Sequence, residues 1–156
     1  MNHRIRRLWI YGIVTLLIMV GIFLMSAQNG TESGNLSEWL LQTSFGRLLM
    51  RILPKITDAG VALDIRKYAH MAEYLLLAIF SCFFFRELFR ETVPAIAAAC
   101  CFGFCFLYAC SDEFHQAFVP GRVGQFSDVL IDMIGVLLGV ISVCLVYFMK
   151  ERKLYE

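Results

Sequence analysis

The run Ser111-Asp112-Glu113-Phe114-His115-Gln116, continuing to Pro120-Gly121-Arg122 and Asp128, concentrates carboxylates, a histidine, an amide and a guanidinium between two almost wholly apolar runs. These groups do acid–base chemistry and bind anions. An imidazole titrates near neutral pH, a carboxylate can orient it, and a planar guanidinium engages a carboxylate or phosphate through two donors. Placing an ionisable group at the centre of a bilayer costs about 2.5–3.5 kcal/mol on insertion scales. Such groups, kept in so apolar a chain, mark a site.

Two further sets have helical spacing. Lys67, His70 and Tyr74 stand at i, i+3 and i+7, a narrow stripe with Glu73 on its flank. Snorkelling of Lys67 and interface anchoring of Tyr74 explain those two as well as a site does, but leave His70 and Glu73 unexplained. Asp128, Asp132, Gly135, Gly139 and Ser142 fall on one stripe of another helix. Its GxxxG pair favours close packing on a neighbour and turns both aspartates into a bundle. Asp128 also suits an N-cap; Asp132, one turn further in, does not.

Asp112, His115 and Gln116 share a face that continues through Cys105, Cys101 and Ala98, small enough for close helix approach. His115 and Gln116 are alternatively caps for the last helical carbonyls, and Glu113 stands aside, open to pairing with a basic residue. Pro120-Gly121-Arg122 reads as a tight turn that presents Arg122 to the acidic groups, either as a structural partner of Asp128 or as a substrate contact.

The elements that position these residues follow from composition. With 156 residues, 59% of them hydrophobic, and a mean hydropathy of +0.67, the chain is expected to be an all-α membrane protein, one domain over residues 1–156. Four transmembrane helices are expected at about 8–25, 67–85, 94–110 and 129–149, since roughly 20 apolar residues span the hydrocarbon, with Pro94 in the first turn of the third. Ser26-Ala27-Gln28 is a weak cleavage site, and the first apolar run is read as a retained span. Between the first two spans, Asn29-Gly30 and Ser33-Gly34 signal turns. Leu36, Leu40, Phe45, Leu48, Leu49 and Ile52 then describe one short amphipathic helix, with Thr43, Arg47 and Arg51 opposite, ended by Pro54. It suits the membrane interface, with Trp39 near its start, or a lid on the bundle.

Basic residues at both ends (Arg4, Arg6, Arg7; Lys150, Arg152, Lys153) and in the loop carrying Arg86 and Arg90 favour two cytoplasmic termini, against Arg47, Arg51, Lys55, Arg66, Lys67 and Arg122 on the other side. A net charge of +1 speaks against nucleic-acid binding. The six cysteines lie in apolar runs without a CxxC pair and read as small core residues. No metal-ligand spacing is recognisable, and no cofactor is expected.

Lys67-Tyr68-Ala69-His70-Met71-Ala72-Glu73-Tyr74, the string from Ser111 to Arg122, Ser127-Asp128-Val129-Leu130-Ile131-Asp132 with Gly135, and Ser26-Ala27-Gln28-Asn29-Gly30 with Ser33 and Ser37 resemble the VanZ-like bacterial membrane proteins. The resemblance covers most of the chain in order and maps the family's motif onto Lys67, His70, Tyr74, Asp112, Glu113, Gln116, Arg122, Asp128 and Asp132. It implies a plasma-membrane protein of glycopeptide resistance, acting on teicoplanin more than on vancomycin. Two functions compete. As a binder of membrane lipids or lipid-linked envelope molecules, the protein would use Lys67, Tyr74, His115, Gln116, Arg122 and Asp128. As an enzyme on a lipid-linked precursor, it would use His70 (or His115) as base, with Asp132 or Asp112 orienting it and Glu113 nearby. A metal held by His70, His115 and carboxylates is a weaker variant of the enzyme, and a proton path would need a homo-oligomer, which the sequence allows.

Overall fold

The computed structural model describes residues 3–56 and 60–152, which form α1 (His3–Ser26), α2 (Gly30–Gln42), α3 (Ser44–Ile52), α4 (Val61–Leu88), α5 (Pro94–Gln116) and α6 (Phe126–Arg152). Four of them, α1, α4, α5 and α6, are long and apolar enough to cross a membrane. Asn2 and the end of the basic tail, Lys153 included, lie outside the described residues.

The long helices overrun the expected spans. A helix rises 1.5 Å per residue, so the 28 residues of α4 exceed a hydrocarbon core about 30 Å thick. Backbone hydrogen bonding carries the polar ends onward in the same helix. α4 therefore starts before Lys67, and α5 continues through Asp112 to Gln116 instead of giving way to a loop at Ser111.

α4 is the central element, and its most extensive contact is with α6. Gly135 and Gly139 make that approach possible: a Cβ at Gly135 would sit 2.0 Å from the Met71 carbonyl oxygen, and one at Gly139 2.7 Å from that of Leu75. The far end of the stripe departs from expectation, since Ser142 is exposed and donates to its own helix at Leu138 O. On α5, Cys101 and Cys105 are buried against α4, with Cys101 Sγ donating to Ala78 O at 3.3 Å. Tyr74, Leu77, Ala78, Cys82 and Val136 fill the surrounding core, while Trp9, Leu17, Leu24, Leu107 and Leu145 face outward.

The single amphipathic helix expected between the first two spans is two helices. Thr43 divides them: its hydroxyl donates to Leu40 O (2.6 Å) and accepts from the Gly46 N–H (3.0 Å), so it closes α2 and opens α3. The turn leaves no room at residue 46, where a Cβ would meet Leu40 O at 2.1 Å. The Asn29 side chain caps α2 by accepting from the Glu32 N–H at 2.8 Å. Asn29-Gly30 therefore begins a helix, and Ser33-Gly34 lies inside it. The halves also differ in placement. α2 packs on α4 with Ser33 and Ser37 buried, whereas α3 leaves Phe45, Leu48 and Ile52 exposed.

Gly30 ties α2 to the distant turn. Its N–H donates to Pro120 O at 3.1 Å, and a Cβ there would lie 2.2 Å from Gly121 O. Gly121 has φ +76°, the left-handed conformation that the tight turn requires. This contact brings Arg122 to the bundle end.

Candidate functional site

Four helix ends and one turn converge. Ser26 ends α1; Arg66, Lys67, His70 and Glu73 occupy the early turns of α4; Asp112, Glu113 and Gln116 end α5; Asp128 and Asp132 begin α6. Asp112, 4% exposed, accepts through Oδ2 from Ser26 Oγ at 2.9 Å and from Gln116 Nε2 at 3.0 Å. Gln116 Oε1 accepts from Arg122 Nη1 at 3.1 Å, and Arg122 Nη2 donates to the Met25 carbonyl at 3.0 Å. One chain of hydrogen bonds thus joins α1, α5 and the 117–125 connection. Bonds to charged groups contribute about 1.5–3 kcal/mol each. Burial lowers the Arg122 pKa from its ordinary value, but a guanidinium stays charged at any physiological pH.

Beside this chain lies a cavity of about 10 Å³, lined by Arg66, Lys67, His70, Glu113, Gln116, Asp128, Ile131 and Asp132. A second, of about 90 Å³, lies beneath α2 and shares Arg66 and His70 with the first, adding Ser33, Ser37, Glu73 and Arg122. The smaller has room for about one water and the larger for several. Several buried polar atoms have no hydrogen-bond partner among the described residues: Asp112 Oδ1, Arg122 Nε, His70 Nδ1 and Glu73 Oε2. The last two approach to 3.3 Å without hydrogen-bond alignment. Buried polar atoms are ordinarily paired, so these atoms set the cluster apart from the apolar core.

The expected residues divide. Lys67, His70, Glu113, Gln116, Asp128 and Asp132 line the small cavity together, and Asp112 and Arg122 are bonded directly to Gln116. Tyr74 does not line it: its ring is fully buried in the core, 6.1 Å from that of Tyr108 on α5, and its hydroxyl is buried with no hydrogen-bond partner among the described residues. His115 turns toward α1 and stacks on Phe23 at 4.6 Å, so an i+3 spacing from Asp112 does not bring it into the cavity.

Three of the alternatives open in the sequence are not the pairings found. Asp128 joins Lys67 Nζ at 2.5 Å and not Arg122, which the turn directs at Gln116 and Met25. It is also no N-cap, since α6 already begins at Phe126. Glu113 binds no basic side chain among the described residues and accepts from the Gln125 N–H at 2.6 Å, fixing the connection ahead of α6. Gln116 spends its amide on Asp112 and Ser26, not on helical carbonyls.

Arg66 and the serines of α2 were missed as site residues. Arg66 lies four residues before His70 and so on the same helical face, a spacing visible in the sequence. Only the larger of the two cavities it lines lies under α2.

Fold and site together define a polytopic helical membrane protein with a buried, ion-rich cluster at one end of its bundle. The family model described as VanZ/LLP1 matches residues 11–147. The chain belongs to that family and is a VanZ-like, multi-pass envelope protein. No curated protein and no solved structure matches it.

Proposed function

We propose that this VanZ-family protein acts in the bacterial plasma membrane by seating an anionic lipid head group, or the anionic part of a lipid-anchored ligand, in the two cavities that share Arg66 and His70, and so lowers susceptibility to teicoplanin-type lipoglycopeptides. The cavities then face the extracytoplasmic side, with both termini cytoplasmic. The observation that carries this reading is Arg66. Lys67 is committed to Asp128 and Arg122 to Gln116 and Met25, whereas Arg66 lines both cavities with no hydrogen bond or ion pair among the described residues. An unengaged guanidinium near the unpaired Nε of Arg122 matches a phosphate or carboxylate. The exposed apolar side of α3 suits a segment resting in the membrane surface, where a lipid-anchored ligand would approach. Teicoplanin carries an acyl chain and vancomycin does not, in keeping with a site reached from the membrane.

A second reading rests on Asp132. Only 5% exposed, it lines the small cavity with His70 and accepts no hydrogen bond among the described residues. In an enzyme acting on a lipid-linked precursor, His70 would take a proton from the attacking group, with Asp132 stabilising the imidazolium.

The test expresses wild type, Arg66→Gln, His70→Ala and Asp132→Asn in a sensitive host at matched membrane levels. Teicoplanin and vancomycin susceptibility are measured, and envelope lipids are profiled by mass spectrometry. Binding predicts teicoplanin protection that Arg66→Gln removes, with no new lipid species. An enzyme predicts a changed lipid that disappears with His70→Ala. Protection by Arg66→Gln equal to wild type would sink the binding reading.

A further inference from the structure

The opposite end of the bundle carries a second, chemically different cavity. A groove of about 180 Å³ runs between α4, α5 and α6, lined by Cys82, Arg86, Pro94, Ala98, Cys144 and Tyr147 among others. It is apolar except at its rim, where Arg86 stands in the last turn of α4. The guanidinium lies over the Tyr147 ring at 5.3 Å, and its Nη1 is buried with no hydrogen-bond partner among the described residues. The neighbouring carboxylate does not help, because Glu87 faces α1 and pairs with Arg7 at 3.1 Å. The C-terminal dipole of α4 favours a cation at this position but offers Nη1 no acceptor. α5 also begins at this rim, at Pro94, and no side chain caps its first turn, so its positive end adds to the field.

We propose that this groove is a site for an anionic glycerophospholipid, with the phosphate on Arg86 and one acyl chain along Cys82, Ala98 and Cys144. Charge complementarity selects this occupant. The cavity is too apolar for a free phosphate to fill, and a zwitterionic lipid would bring a second cation beside Arg86. A guanidinium already desolvated against an aromatic ring strengthens its bond to phosphate more than an exposed one would. The site is separate from the polar cluster and stands or falls independently of it.

Native mass spectrometry of the full chain released from detergent tests this, using dioleoyl phosphatidylglycerol against dioleoyl phosphatidylcholine, which share acyl chains and differ in head-group charge. Wild type should retain the anionic lipid about tenfold better, the scale of one charge-assisted contact. Arg86→Gln should abolish the preference, Arg90→Gln on the exposed neighbouring loop should preserve it, and Ala98→Phe, which fills the groove, should weaken retention of both lipids. Equal retention of the two lipids by wild type overturns the proposal without any variant. A loss with Arg90→Gln as large as with Arg86→Gln would reduce the effect to general surface charge and overturn it too. Unchanged retention by Ala98→Phe would remove the groove from it.

Discussion

Gly135→Ala puts the coupling between helix packing and the polar site to a direct test. The added Cβ would lie 2.0 Å from the Met71 carbonyl oxygen, whereas ordinary Cβ contacts begin at 3.4 Å. The obstacle is backbone and cannot rotate away, so α6 and α4 must part by roughly an ångström at this crossing. Overpacking of this kind costs about 1–3 kcal/mol, and alanine's better helix propensity returns at most ~1 kcal/mol. Gly103→Ala provides the comparison: it lies inside α5, and a Cβ there meets nothing within 4 Å. It should therefore gain the propensity term alone. Reversible unfolding in mixed micelles should place the two variants on opposite sides of wild type, separated by about 2 kcal/mol. The separation also matters at the site. Gly135 is one turn from Asp132, and Met71 adjoins His70, so Gly135→Ala should lose teicoplanin protection even where its membrane level matches wild type. If Gly135→Ala were as stable as Gly103→Ala, close packing of these two backbones would be refuted, and with it the account of how the aspartates reach the cavity.

Gly30→Ala should detach α2 from the 120–122 turn, since its Cβ would overlap the Gly121 carbonyl; faster amide hydrogen exchange at Gly30 and Arg122, without loss of α4 protection, would report it. Lys67→Met and Asp128→Asn should each destabilise, and a double-mutant cycle should return a coupling of about 1 kcal/mol; strict additivity would reduce their contact to a passive one. Gln116→Leu removes the acceptor for Arg122 Nη1 and a donor to Asp112. It should lower teicoplanin protection together with thermal stability by ~1–3 kcal/mol, the scale of leaving buried polar groups unpaired, and unchanged stability would deny the network its structural role.

Much of this molecule is legible without coordinates. Apolar runs of spanning length specify four long helices, because a backbone in hydrocarbon has to satisfy its own hydrogen bonds. The stripe from Asp132 through Gly135 to Gly139 places a carboxylate beside a close helix crossing, because helical periodicity fixes which residues share a face. Pro94 at the head of α5 and Gly121 in its turn follow from backbone chemistry alone. Partners were decided only in three dimensions. Asp128 chose Lys67, 61 residues away, over Arg122, only six residues away, because the turn docked on Gly30 aims Arg122 at Gln116 and Met25. Tyr74 and His115 share a face with site residues yet line neither cavity, their rings resting against Tyr108 and Phe23, since a face spans more than one neighbour once helices pack. Thr43 broke a continuous apolar periodicity because one hydroxyl could serve two helix ends. Arg66 became the available cation only when its neighbours had found theirs. Spacing along a helix sets direction within one element, while pairing depends on the relative placement of elements, which long-range contacts alone determine.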